Sequence, residues 1–259
     1  MGSLFIVSSI YYLFDIKLFD YSLLIPLLIL FLTGLFDDIY QLDFKLKFIF
    51  QIIAAKIIID NGLLIDNLHG VLGFYELNRI IAQLITIFFI VAIINAINFI
   101  DGIDGLAISI SFLFFLFFEY FISTFSPYIN FTLLIIAFLV PGYFFNFRKK
   151  NKVFLGDSGS LFLGGLISIY ILTVLSSEYI IKSEYDIHKI IFVFSILPYP
   201  IIDIIRIFFK RIFNKKSPFI ADKNHLHHLL FDVLKSHFKT TISIASISFL
   251  LLIIIQLIF

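Results

Sequence analysis

Eight side chains stand where an otherwise apolar chain least accommodates them: Asp37, Asp38, Asp101, Asp104 and Asp157, with His225, His227 and His228. They fall in four polar stretches, 37–51, 95–107, 153–160 and 217–228. A charged side chain at the centre of a bilayer costs roughly 2.5–3.5 kcal/mol or more, so acids retained in such a chain mark a site. Mg²⁺ usually takes one or two carboxylates together with substrate phosphates. Aspartates beside Lys45, Lys47 and a histidine cluster suit that chemistry: a diphosphate held through Mg²⁺ at a membrane face. Asp101 and Asp104 share a face if their segment is helical, and Gly102 and Gly105 beside them allow close backbone approach. Asp157 precedes a stretch, 158–160, where a helix N-terminus would favour an anion.

Each feature also has a plain structural explanation. Asp37 can cap a helix end, 101–105 can be a polar turn, and Gly-Asp and Ser-Gly are common turn and N-cap dipeptides. Lys149, Lys150, Lys215 and Lys216 read as membrane-surface anchors. Asp203 and Arg206 can neutralise each other, Glu119 can snorkel from an outer helix end, and His69, His188 and His237 stand alone. His225 and His228 share a helical face, which makes zinc conceivable, but no carboxylate or thiol lies at a familiar metal spacing.

The elements that must position these residues are membrane helices. The chain has 259 residues, 61% hydrophobic and 14% charged, with a mean hydropathy of +1.07. A soluble domain of this size cannot hide so much apolar surface, so the class is an all-α, polytopic membrane protein. A net charge of +1 excludes a generic nucleic-acid binder, and with no cysteine there is no disulfide framework or thiolate metal site. No cleavable signal peptide is expected, because the first apolar stretch lacks a basic segment before it. At 1.5 Å per residue, about 20 residues cross the bilayer core. Nine spans are expected, near 3–19, 21–36, 46–60, 79–98, 106–125, 128–146, 159–175, 188–208 and 240–259, as one membrane-embedded domain over 1–259. The segment 60–78 can form a small hairpin. Threaded alternately, nine spans put all four polar stretches on one side. That side holds 14 of the 19 Lys and Arg residues, so it is expected to be cytoplasmic.

The four stretches resemble those of the polyprenyl-phosphate N-acetylhexosamine-1-phosphate transferases (glycosyltransferase family 4), which include the MraY, WecA and TagO enzymes. The resemblance rests first on Asp37, Asp38, Lys45 and Gln51. It continues with Asn95, Asn98, Asp101, Gly102, Asp104, Gly105, Leu106 and Ala107, and with Phe154, Gly156, Asp157, Gly159 and Ser160. The last stretch, from Ser217, Pro218 and Phe219 through Asp222 to His225, His227 and His228, resembles the WecA-like branch.

The resemblance implies an enzyme that moves a sugar 1-phosphate from a UDP-N-acetylhexosamine to undecaprenyl or another polyprenyl phosphate and releases UMP. It implies a multi-pass protein of the bacterial cytoplasmic (inner) membrane that starts a cell-envelope polysaccharide such as O-antigen. Asp157 would bind Mg²⁺ (or Mn²⁺), with Asp101 a second metal candidate. Asp37 and Asp38 would handle the lipid phosphate or metal, and Lys45 would offset phosphate charge. Asn95, Asn98, Asp101 and Asp104 would position the substrates. Phe154 would stack on uracil, and the histidines would bind the diphosphate or sugar. The WecA-like loop points to a simple UDP-HexNAc, and not to the muramoyl-pentapeptide nucleotide. A homodimer is a further expectation. Family members usually begin with another span and a basic loop, so the chain as it starts at Met1 is expected to be weak or inactive. The rival readings are an intramembrane Mg²⁺-dependent prenyltransferase, with paired Asp-x-x-x-Asp motifs, and an ion-coupled transporter, with acids near mid-membrane.

Overall fold

The computed structural model describes residues 19–68, 73–122, 128–176, 188–215 and 224–258. Their regular structure is helical: α1 (Tyr21–Tyr40), α2 (Phe44–Asp60), α3 (Arg79–Ile100), α4 (Leu106–Phe121), α5 (Ile129–Asn146), α6 (Gly156–Leu175), α7 (His188–Ile196), α8 (Pro198–Phe213), α9 (Leu226–Leu234) and α10 (His237–Ile258). Among the described residues the sole β-type pairing is an isolated bridge, Asn67 to Glu76, inside the expected hairpin.

The helix ends follow from local chemistry. Asn78 caps α3 by accepting the N–H groups of Ile80 (2.9 Å) and Ile81 (3.1 Å). Gln41, with φ of 52°, stops α1 and donates its N–H back to the Asp37 carbonyl. Apolar residues then decide what each helix faces. Ile80, Leu84 and Phe88 recur at four-residue spacing on α3 and are 71%, 63% and 69% exposed, the stripe of a helix that meets lipid. By contrast α6 is buried along almost its whole length and packs chiefly on α1 and α3. Small residues permit that approach: a Cβ at Gly164 would lie 2.6 Å from the Ile94 Cα, and one at Gly34 would fall on the Asp157 carbonyl.

Among the described residues five helices are long and apolar enough to cross a membrane: α1, α3, α5, α6 and α10. They become six if α7 and α8 form one bent span. The protein is therefore an all-α, multi-pass membrane protein. Three expected spans differ. That at 46–60 is α2, whose 17 residues are not among the helices long and apolar enough to cross. The stretch 188–208 is not one straight helix, because α7 and α8 meet at 89° around Leu197. Pro198 and Pro200 lack the N–H groups that would continue α7, and Pro198 instead opens α8 at its first position. The span 106–125 ends at Phe121, giving a 16-residue helix. Of the first expected span, 3–19, only Phe19 is described; it packs on Tyr128 and Phe131 at 4.9 and 4.5 Å between ring centroids. His69, Lys216, Ser217, Pro218, Phe219, Asp222 and Lys223 lie outside the described residues.

This packing gathers one set of helix ends. The C-termini of α1 and α3 meet the N-termini of α4, α6 and α10, and α9 lies against them.

Candidate active site

At the centre of that end Lys47 holds two carboxylates from different helices. Its Nζ is 3.0 Å from Asp37 Oδ2 and 2.5 Å from Asp157 Oδ2, and all three side chains are largely buried. The other Asp37 oxygen accepts the Leu42 N–H at 2.8 Å, fixing the turn that leads from α1 to α2. The sequence reading chose Lys45 for this place. Two residues along a helix rotate about 200°, so Lys45 and Lys47 point to opposite faces. Lys45 is exposed and in no ion pair among the described residues. The signal that finds Lys47 is its spacing of four from Gln51, which is 1% exposed on the same face. Gln51 in turn exchanges hydrogen bonds with Asn95 (2.8 and 3.3 Å), and Asn95 also donates to the Val91 carbonyl at 2.7 Å. The Asn95 amide thus joins α2 to α3.

Asp38 caps α6. Its two oxygens accept the N–H groups of Asp157 (2.8 Å) and Ser158 (3.0 Å). The helix N-terminus expected to favour an anion therefore has one, supplied by α1. Gly156, with φ of 67°, lets the chain turn over this carboxylate, and a Cβ there would meet Asp38 Oδ2 at 2.8 Å. The Gly156 N–H faces Asp101, the C-cap residue of α3. Burial, and then the negative charge of Asp157, push the Asp101 carboxyl up to about 8. Asn98 donates to Ser160 Oγ at 2.9 Å, on the same turn of α6. Asp37, Asp38, Asp101 and Asp157 thus share one small region with one paired ammonium, that of Lys47.

Asp104 does not join them. Residues 101–105 form turns, so the helical face that would align Asp104 with Asp101 does not exist. Asp104 Oδ2 pairs with Lys152 Nζ at 2.6 Å, its N–H donates to His237 Nδ1 at 3.1 Å, and its carbonyl accepts Thr241 Oγ1 at 2.7 Å. It anchors the start of α10 to the loop, a place for His237 that its isolation in sequence did not indicate. Asn146 closes the same region, accepting the Gly105 N–H (2.5 Å) and donating to the Val153 carbonyl (2.8 Å). Phe154 is 68% exposed beside the aspartates in sequence, with Lys152 Nζ 4.6 Å above its ring.

The three histidine rings cluster, with centroids 4.3–6.5 Å apart, but make different contacts. His225 is buried, with Nδ1 2.7 Å from Asp203 Oδ2. The second Asp203 oxygen accepts the Leu226 N–H and Arg206 NH2, each at 2.9 Å, so Asp203 organises the entry to α9 and does more than neutralise Arg206. His227 lies 2.8 Å from the Tyr199 hydroxyl. Burial, and then the neighbouring His228 and His225, pull its ring down to about 3, so it is neutral. His227 and His228 both pack on Gly102, which brings the fourth stretch onto the second.

Among the described residues no three His, Cys, Asp or Glu side chains are grouped to hold a metal by themselves. The donor set does fit an ion that keeps one or two carboxylates and takes phosphate oxygens for the rest, because Asp37 and Asp157 face one another across a single ammonium.

A family model for glycosyl transferase family 4 matches residues 21–175, which carry three of the four stretches and the whole aspartate cluster. The chain belongs to that family. Its relatives include a probable undecaprenyl-phosphate N-acetylglucosaminyl 1-phosphate transferase of Bacillus subtilis (strain 168), 33% identical over 226 residues, which are 86% of this chain and 61% of that protein. They also include the undecaprenyl-phosphate alpha-N-acetylglucosaminyl 1-phosphate transferase of Haemophilus influenzae, 33% identical over 241 residues, 88% of this chain and 66% of that one. The protein of the same name from Pasteurella multocida is 39% identical over 101 residues, 38% of this chain and 26% of its own. The chain thus spans less than two thirds of the length of the first two relatives. Family membership replaces the prenyltransferase reading, and the acids lie at helix ends where a transporter would hold them mid-membrane.

Proposed function

We propose that the protein transfers N-acetylhexosamine 1-phosphate from a UDP-sugar to a polyprenyl phosphate. An oxygen of the lipid phosphate replaces the UMP oxygen on the sugar-bearing phosphorus, and UMP leaves. The observation that carries this reading is the Asp37–Lys47–Asp157 cluster at the end where the four stretches meet. Two anionic substrates must approach there, and their repulsion is the main barrier that positioned charge can lower. Asp157, with Asp37 or Asp101 beside it, would hold a Mg²⁺ ion, which would further neutralise the phosphates. Lys47 keeps both carboxylates oriented, and Asp38 fixes the α6 N-terminus that carries Asp157. Phe154, exposed on its loop, offers a stacking face to uracil, and a simple UDP-HexNAc such as UDP-GlcNAc is the donor class. The excess of Lys and Arg at this end supports a cytoplasmic side for it.

The test is UMP-dependent exchange of label into UDP-GlcNAc in membranes that contain the protein, with and without Mg²⁺. Exchange lost in Asp157→Asn supports the reading. Exchange that persists in that variant at low Mg²⁺ removes Asp157 from the metal.

A further inference from the structure

His227 is fully buried, and its two ring nitrogens are not equally satisfied. Nδ1 lies 2.8 Å from Tyr199 Oη, while Nε2 has no hydrogen-bond partner among the described residues. Proton counting decides which nitrogen carries the hydrogen. If Nδ1–H donated to the phenol oxygen, the Tyr199 O–H and the Nε2 lone pair would both be left buried and unmatched. The Asp203 carboxylate nearby, engaged by His225, Leu226 and Arg206, is not in hydrogen-bond contact with the phenol, whose partner is His227. If Tyr199 O–H donates to Nδ1, one group alone is unmatched, the Nε2–H. Each unmatched buried group costs roughly 1–3 kcal/mol, so the second arrangement is favoured. An imidazolium would leave the same N–H unmatched and add a buried charge beside Arg206, His225 and His228.

The unmatched nitrogen is aimed at motif residues. It lies 3.6 Å from the point where a Cβ on Gly102 would sit, and Gly102 follows Asp101. Because residue 102 has no side chain, only backbone and the His228 ring stand beside this buried N–H.

We propose that Tyr199 is a positioning residue that fixes His227 as the neutral Nε2–H tautomer, presenting one hydrogen-bond donor over Gly102 to an oxygen of the bound nucleotide sugar. The inference rests on the transferase reading for its ligand, but the tautomer itself does not depend on it. His227 is on this view neither a general base nor a cation in the reaction.

The experiment is ¹⁵N NMR of the full chain, labelled at its six histidines, with the His227 signals assigned by their loss in His227→Gln. The expected result is a protonated Nε2 and an unprotonated Nδ1, unchanged from about pH 6 to 9. Tyr199→Phe should convert this to a tautomer mixture and raise KM for UDP-GlcNAc about tenfold, the worth of one hydrogen bond, with kcat little changed. A shift of the Nε2 signal with UDP assigns the acceptor to the diphosphate, and a shift with UDP-GlcNAc alone assigns it to the sugar. A protonated Nδ1 in the unsubstituted protein, or an unchanged tautomer in folded Tyr199→Phe, overturns the proposal. If Tyr199→Phe does not fold, the unsubstituted protein's tautomer still decides it. A fixed Nε2–H tautomer in a protein without exchange activity overturns the transferase reading alone.

Discussion

Lys47 shows how one cation can make an acidic site tenable. Asp37 and Asp157 come from helices far apart in sequence and would repel one another without it. Lys47→Met is expected to lower transfer about 10²–10³-fold, the scale for losing one electrostatic contact in a reaction centre. Lys45→Met, on the exposed face, is expected to stay within about twofold. Initial rates at equal amounts of folded protein check both. Asp101 carries a second prediction. Its carboxyl rises from 3.8 to about 8 on folding, so the folded protein holds a proton there that the unfolded chain releases. The stability this proton supports is complete below about pH 4 and is lost as pH rises through about 8. In metal-free protein the melting temperature should therefore fall across that window, and Asp101→Asn, which is always neutral, should flatten the fall.

At the scale of elements, α6 is the hub, and glycine decides how near its neighbours come. Gly34 meets the backbone at Asp157 and Ser158, and Gly164 meets Ile94. Gly34→Ala and Gly164→Ala force helix axes apart and should each cost about 1–3 kcal/mol. The first should also depress transfer, since it displaces α1 from the α6 turn that Asp38 caps. Gly142→Ala is the control, with its nearest neighbour 3.9 Å away. Melting temperatures in detergent, measured on all three, separate packing from generic helix propensity. The 89° break between α7 and α8 is the other decisive element, for it turns Tyr199, Asp203 and Arg206 toward α9.

For the whole molecule the outcome is a helical bundle with its charged chemistry at one end and apolar stripes along its sides. The absence of cysteine makes its orientation directly measurable. Lys149→Cys in the loop before α6 should resist a membrane-impermeant thiol reagent in intact cells, and Asn61→Cys at the other end of α2 should react. Labelling of position 149 from outside would invert the arrangement.

Sequence alone determined the class, the family resemblance and most of the helices. Long apolar runs admit few other structures in a membrane, and motif spacing survives without coordinates. It also located the aspartates and histidines, because charge is costly in such a chain. Roles within the site depended on angles and turns. Lys45 and Lys47 are distinguished by 200° of helix rotation, which a list of nearby residues does not contain. Asp101 and Asp104 part company because 101–105 turns where a helix would have aligned them. The pairings of Asp38 with the α6 N-terminus, Asn95 with Gln51, and Tyr199 with His227 join residues 28 to 120 positions apart. Only the tertiary structure decides such partners, since a buried polar group takes whichever donor or acceptor the packing of whole helices brings within about 3 Å.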